Sequence, residues 1–141
     1  MITRKKINEI FEEFVDSVGF MKHKIDGIEY ILINKYDSHV VSKNIFNDKT
    51  KFESLENHIH LIKPQICLCR KYLKIEIQKL GEKILRKLIL QFPNHKFIVY
   101  IEINNKNNVI IRFHQQWKDE ENYYNINNLS SYASYIIYCK N

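Results

Sequence analysis

The chain has 141 residues and a mass of 17.1 kDa, a length that predicts a single domain spanning residues 1–141. Hydrophobic residues make up 45% of the chain against only 3 Gly and 2 Pro, which excludes a disordered tail, a collagen-like repeat and a linker-rich array. The formal net charge of +6 raises the question of an acidic partner, a membrane surface or a nucleic acid.

Most of the positive charge is lysine, since the arginines are only Arg4, Arg70, Arg86 and Arg112. Proteins that read nucleic acids rely on arginine for bidentate contacts, so nucleic-acid binding is not expected. A lysine-rich nucleic-acid binder remains an alternative because the predicted central helix carries a basic face.

The cysteine count and the N-terminus predict a cytoplasmic protein. Three cysteines, an odd number, do not form a secreted disulfide framework. The basic N-terminus is followed by Glu9, Glu12 and Glu13 rather than by an apolar signal-peptide core. No stretch approaches 18 apolar residues, so we expect neither a membrane span nor a membrane partner.

The first predicted element is an amphipathic helix over residues 3–18. Its apolar positions follow helical spacing: Ile7, Ile10, Phe11, Phe14, Val15 and Val18. Thr3 is expected to cap its start, and Gly19 to take the left-handed position after its end. Phe20 is then placed to fold back on the last turn.

A pair of β-strands is predicted next. Residues 28–35 are apolar on both faces, which is typical of a strand inside a sheet rather than at its edge. Residues 39–43 are expected to pair with it after a turn near residues 37–38. Residues 44–57 have no clean period and predict a loop with about one helical turn.

Residues 64–92 predict a long central helix that begins at Pro64 and ends before Pro93. An apolar stripe runs at spacings of three and four: Ile66, Cys69, Leu73, Ile77, Leu80, Ile84 and Leu88. Residues 73–78 also alternate like a strand, but the stripe on both sides favours a helix. Gly81 then marks a kink or a close packing contact.

A β-hairpin is predicted over residues 97–116, with residues 104–108 as its turn. Symmetric closure places Tyr100 opposite Arg112 and Ile98 opposite His114, on the face away from the core, with Glu102 diagonal to Arg112.

Residues 119–131 predict a polar loop, and the alternation over residues 135–139 predicts a last strand. The fold class is therefore α+β, with an N-terminal and a long central helix packed on an antiparallel sheet of about five strands.

His58 and His60 form the most suggestive metal motif, because side chains at i and i+2 of a strand point the same way. Cys67 and Cys69 add a second such pair, but on a helix they diverge by about 200° and cannot share one ion. We therefore favour no metal or other cofactor, with structural histidines in a loop and Cys69 in the core.

The His-Ile-His motif also resembles single-strand endonucleases with a His-hydrophobic-His metal site and a downstream catalytic tyrosine. That resemblance implies a metal-dependent nuclease with Tyr123 or Tyr124 as nucleophile. In such enzymes the tyrosine lies on a helix, whereas residues 119–131 predict a loop. No complete catalytic motif is present otherwise, so we expect a protein that is not an enzyme.

The residues most suited to a binding surface follow the hairpin. Tyrosine, tryptophan and arginine dominate interface energies because they contribute large contact areas at low entropic cost. The predicted contact residues are Tyr100, Arg112, His114, Trp117, Tyr123 and Tyr124, with Asp119, Glu120 and Glu121 to steer a partner. The alternative is that the helix over residues 3–18 covers this face and the rings are ordinary core.

The chain resembles small cytoplasmic immunity proteins over three stretches, which are residues 80–93, residues 97–103 and residues 109–116 with Arg112-Phe113-His114. Such proteins are encoded beside bacterial polymorphic or contact-dependent toxins. The resemblance implies a non-catalytic α+β domain that binds and neutralises one cognate toxin domain. Many of these proteins are acidic and match basic nuclease toxins, so this basic chain would need local charge reversal at Glu102 and residues 119–121.

Overall fold

The computed structural model describes residues 3–34, 48–62 and 70–141. The regular elements in these ranges are α1 (Arg4–Ser17), β1 (Phe20–Ile25), β2 (Ile28–Ile33), α2 (Lys49–Glu56), β3 (His58–Ile62), α3 (Arg70–Gln91), β4 (Phe97–Ile103), β5 (Val109–Gln115), a 3-10 turn (Leu129–Ser131) and β6 (Tyr135–Lys140). β1 and β2 form one antiparallel sheet, and a second antiparallel sheet has the order β3-β5-β4-β6. The α+β class is confirmed, but the strands form two sheets instead of one sheet of about five.

No helix within these described ranges combines the length and the apolar character that a membrane crossing requires.

α1 is confirmed, and the Thr3 side chain caps it by accepting a hydrogen bond from the Lys6 N–H at 3.2 Å. The predicted left-handed Gly19 is wrong, because the helix ends at an extended Val18 and Phe20 opens β1 instead of folding back. The Lys87 ammonium donates to the carbonyls of Val15 and Val18 at 2.6 and 2.7 Å. These bonds satisfy carbonyl groups at the end of α1, which is the role that a glycine cap would otherwise have.

β2 pairs with β1, through a turn in which Asp26 and Gly27 have φ angles of 51° and 81°. The predicted partner at residues 39–43 and its turn lie outside the described residues. Within the described part of the chain this strand belongs to a two-stranded sheet, and not to the interior of a larger sheet as expected. Helix α2 closes its open edge: the Asn57 amide accepts from Ile33 N–H and donates to Ile31 C=O, both at 2.8 Å.

α2 has eight residues, where about one helical turn was predicted. Asp48 caps it by accepting from Lys51 N–H at 3.0 Å. Its buried positions include the polar residues Thr50, Glu53 and Ser54, so the sequence shows no hydrophobic period.

α3 confirms the central helix over Arg70–Gln91, and the alternative strand over residues 73–78 is excluded. The part of the prediction that includes Pro64, Cys67 and Cys69 lies outside the described residues. Gly81 marks the close contact that was expected. A Cβ atom there would lie 3.0 Å from the Cys139 Sγ and 3.4 Å from the Ile101 Cγ1.

Gly81→Val is expected to destabilise the fold by about 1–3 kcal/mol, because the added carbons force α3 away from the sheet. Lys83→Val is the matched control, since the same β-branched residue then stands at an exposed position of the same helix. It is expected to cost well under 1 kcal/mol. Urea unfolding of both variants measures the difference, and equal losses would show that the helix and sheet can separate without penalty.

The hairpin has the predicted register, with Tyr100 opposite Arg112 and Ile98 opposite His114. The predicted last strand is confirmed as β6, which pairs with β4. One face of the four-stranded sheet packs against α3 in the main core. The opposite face, here called the outer face, carries Tyr100, Arg112 and His114.

Candidate functional site

The outer face is covered by the segment that joins β5 to β6, and not by α1 as the alternative prediction had it. Ile98, Tyr100 and Ile136 form a second core there, against side chains of this segment that include Tyr123, Tyr124, Ile126, Leu129 and Tyr132. α1 packs on α3 instead. Five of the predicted contact residues therefore form two layers, with Tyr100, Arg112 and His114 buried on the sheet and with Tyr123 and Tyr124 half-buried above them.

His114 links the two layers. Its Nδ1 lies 2.7 Å from the Gln115 carbonyl, which assigns the ring proton to Nδ1. Its Nε2 then accepts hydrogen bonds from the Tyr100 hydroxyl at 2.9 Å and from the Tyr123 N–H at 3.3 Å. Burial lowers the pKa of His114, so the neutral ring needed for this arrangement is favoured.

Arg112 lies beside His114 in the buried layer and is 8% exposed. Its Nη1 donates to the Ser54 carbonyl at 2.9 Å, and the ring of Tyr123 covers the face of its guanidinium at 4.3 Å. The Nε atom is buried and has no hydrogen-bond partner. This arginine is held in one orientation with an unused donor.

The tyrosines of the upper layer are held by edge contacts and hydrogen bonds. The Tyr124 ring lies 5.0 Å from both Tyr100 and Tyr132, in edge-to-face geometry. Its hydroxyl donates to the Glu102 carboxylate at 2.8 Å, and burial with this bond raises the pKa of Tyr124. The Tyr132 hydroxyl accepts from the Asn125 N–H at 2.8 Å.

A groove of about 430 Å³ opens on the upper layer, and we call it the tyrosine groove. Its lining residues are Glu120, Glu121, Asn122, Tyr123, Tyr124, Asn125, Ile126, Asn127 and Tyr132. None of these described lining residues is Lys or Arg, although the whole chain carries +6. The groove is therefore a local reversal of the overall charge.

The predicted acidic run divides between two roles. Glu120 accepts from the N–H and the hydroxyl of Thr50, both at 2.8 Å, and pairs with Lys49 at 3.3 Å, so it caps α2. These hydrogen bonds lower the pKa of Glu120 despite its partial burial. Asp119 and Glu121 are exposed, and Glu121 lies on the groove.

Trp117 lies apart from the groove. Its ring contacts Tyr30 at 5.6 Å, and its indole N–H donates to the Glu53 carboxylate at 3.2 Å. It lines a second, open depression together with His95 and Lys118. The structure therefore does not bring Trp117 together with the other predicted contact residues.

Glu53 is a buried carboxylate that the sequence analysis missed. It is 0% exposed, and four donors converge on it: Ile31 N–H at 2.9 Å, the Gln115 side chain at 2.8 Å, Trp117 and the Gln115 N–H. Desolvation outweighs these bonds and raises the pKa of Glu53 to about 7. No sequence signal marks it, since its donors come from positions up to 64 residues away.

His58 and His60 lie on strand β3, which corrects the prediction that they sit in a loop. Their rings are 4.6 Å apart on one face, and His58 pairs in register with Arg112. Among the described residues, no group of three or more His, Cys, Asp or Glu is arranged to hold a metal ion. Tyr123 and Tyr124 lie outside helices, unlike the tyrosine that the endonuclease resemblance requires.

No protein-family model, curated protein or solved structure matches the chain.

Proposed function

We propose that the protein is a non-catalytic binding module of the immunity type, which holds and neutralises a cognate bacterial toxin domain in the cytoplasm. The observation that supports this function is the tyrosine groove, with its tyrosines and glutamates and without basic residues. Tyrosine is the residue type that binds protein partners with large contact area and little loss of entropy.

The two layers of the outer face explain how such a groove would be ready to bind. Tyr123 is fixed from below through its N–H to His114 and its ring on Arg112. Tyr124 is fixed by Glu102 and by the Tyr100 ring. A surface ordered before binding loses less entropy on association, which favours tight complexes.

The charge of the groove supports a basic partner segment. Glu121 and the nearby Asp119 are exposed, and neither residue takes part in capping α2. Exposed carboxylates at the rim of an interface accelerate encounter with a basic surface and reject an acidic one. This is the local charge reversal that the resemblance to immunity proteins requires of a basic chain.

Glu121→Lys is expected to weaken the complex with the toxin domain encoded beside this gene by about tenfold or more, since it places a cation on the groove. Glu13→Lys makes the same charge change on the exposed face of α1 and is the matched control. Isothermal titration calorimetry compares the two variants with the unmodified protein.

If Glu121→Lys and Glu13→Lys change the partner affinity equally, the groove is not the binding surface. A neighbouring gene that encodes no toxin, or a toxin that the unmodified protein neither binds nor neutralises on co-expression, would contradict the proposed function itself.

A further inference from the structure

We infer that the protein forms a two-fold symmetric dimer, in which the open edge of β6 pairs antiparallel with β6 of a second copy. β6 is the last strand in the order β3-β5-β4-β6, and within the described ranges no strand lies on its other side. Pairing of the two edges joins two four-stranded sheets into one continuous sheet of eight strands. β6 contributes no residue to the tyrosine groove, so the dimer and the proposed function are independent of each other.

The hydrogen bonds of β4 show which backbone groups of β6 point outward. Lys96 C=O accepts from Gln116 N–H, so the even-numbered residues of β4 face β5 and the odd-numbered residues face β6. Accordingly, Phe97 N–H points to the other side and donates to the side chain of Asn141. The odd-numbered residues of β6 are therefore bonded to β4, and the even-numbered ones present N–H and C=O groups at the open edge. These outward residues are Ile136, Tyr138 and Lys140. In the described part of the chain, their outward groups bond to no other strand or side chain.

β6 also lacks the features that protect edge strands from pairing with other chains. Such strands are usually bulged, rich in lysine or interrupted by proline. β1 exposes Lys22 and Lys24, and β3 has a register shift between His60 and Ile62. β6 pairs with β4 without a shift, contains no proline and has a single exposed side chain, that of Lys140. It is therefore the strand best suited to accept another strand.

The outward groups select one register for the pairing of β6 with its copy. A register centred on Tyr138 places Tyr138 opposite itself and Ile136 opposite Lys140 of the second copy. All three outward residues then exchange backbone hydrogen bonds, about six in total. A register centred on Ile137 would leave Lys140 outside the paired segment. The Tyr138 register also keeps the two Lys140 ammonium groups apart, so no like charges face each other.

The charges of α3 favour a second copy as the occupant of this edge. α3 packs on β4 and β6, and its side nearest the edge carries Lys74, Gln78 and Glu82, each one turn from the next. Lys74 Nζ lies over the Tyr135 ring at 4.2 Å, and Gln78 Nε2 lies 3.6 Å from the Cys139 Sγ. A two-fold axis at the centre of the paired strands reverses the second helix. Lys74 of each copy then faces Glu82 of the other, across the two Gln78 side chains.

The spacing of the elements allows this contact between the helices. Neighbouring strands lie about 4.8 Å apart, so a helix placed over β4 and β6 lies about 10 Å from its copy. That is the distance at which helices pack. The same dimer thus pairs the strands and brings opposite charges together twice.

Sedimentation equilibrium of the isolated protein tests the dimer. We expect a species of about 34 kDa, twice the monomer mass of 17.1 kDa, with a Kd of about 100 μM or tighter. Glu82→Lys is expected to weaken the dimer about tenfold or more, because it places ammonium groups face to face twice. Adding Lys74→Glu to it is expected to restore the Kd to within about threefold, since the pairs form again with exchanged signs. Glu13→Lys, the same charge change on the exposed face of α1, is the matched control and is expected to leave the Kd unchanged.

Amide hydrogen exchange tests the strand pairing directly. The outward N–H groups of Ile136, Tyr138 and Lys140 are expected to exchange at least about tenfold more slowly in the dimer than in the dilute monomer. The N–H groups of Ile137 and Cys139, which bond to β4, are expected to be protected in both. A protein that is monomeric at about 500 μM, well above the expected Kd, would overturn the inference. A dimer with unprotected outward amides would overturn it too, as would a Glu82→Lys dimer that Lys74→Glu does not restore.

Discussion

Replacing Glu53 by alanine is expected to destabilise the protein by about 3–5 kcal/mol. The substitution leaves three buried donors and the N–H of the half-buried Trp117 without their acceptor, and each unsatisfied buried group costs on the order of 1–3 kcal/mol before the structure relaxes. Glu53 on α2 accepts hydrogen bonds from β2, β5 and Trp117, so the substitution removes one of the links between the two sheets. Urea unfolding measures the loss.

Glu13→Ala, an exposed position of α1, is the control for the loss of one carboxylate and is expected to change stability by less than about 0.5 kcal/mol. A Glu53→Ala protein as stable as this control would mean that water replaces the carboxylate without penalty.

The same residue makes stability depend on pH, with a sign that follows from its raised pKa. Folding raises the pKa of Glu53 from 4.5 to about 7, so the folded state holds this proton more tightly. Its contribution is complete below about pH 4.5 and is lost as pH rises through 7, by roughly 3 kcal/mol in all. Glu53→Gln, which cannot ionise, is expected to lack this decline when unfolding is compared at pH 5 and pH 8. Parallel declines in both proteins would assign the pH dependence to other groups.

The sequence predicts well those elements in which buried side chains recur at the period of a helix or a strand. α1 and the hairpin of β4 and β5 follow their hydrophobic periods, and the symmetric turn fixes the pairing of Tyr100 with Arg112. β1 has no such signal because three of its six side chains, those of Met21, Lys22 and Lys24, are exposed. α2 escapes prediction because Phe52 is the only apolar residue among its four buried positions, and hydrogen bonds between Glu53 and distant strands hold much of the rest of that face.

The site is predicted less completely than the hairpin that carries it. Alternation places Tyr100, Arg112 and His114 on one face, but it does not tell whether that face is open. The covering segment between Tyr123 and Tyr132 has no period of its own, and its tyrosines pack individually on one another. Burial of Tyr100 and His114 therefore follows only from the three-dimensional arrangement.

His114→Ala is expected to destabilise the protein by about 3 kcal/mol and to weaken at the same time the partner binding that we propose for the groove. The variant removes a fully packed ring and leaves the Tyr100 hydroxyl and the Tyr123 N–H without their acceptor. Tyr100→Phe is the matched comparison, because it removes one of these hydrogen bonds and keeps the ring. It is expected to cost about 1 kcal/mol. Urea unfolding and calorimetry measure the two effects, and equal losses in both variants would show that His114 does not support Tyr123.

The pH dependence of His114 has the opposite sign to that of Glu53. Burial lowers the pKa of the ring, so the folded state holds this proton less tightly than the unfolded chain. Its contribution is present above about pH 6.5 and is lost as pH falls below that value toward the folded pKa. Protonation of Nε2 removes the acceptor of the Tyr123 N–H and sets two donors against each other. The loss of stability therefore reaches the groove through Tyr123. We therefore expect the affinity for the proposed partner to fall together with stability as pH falls below 6.5, and the His114 Cε1–H signal to stay unchanged between pH 8 and 7. A signal that titrates with a midpoint at or above 6.5 would contradict this assignment of the buried, neutral ring.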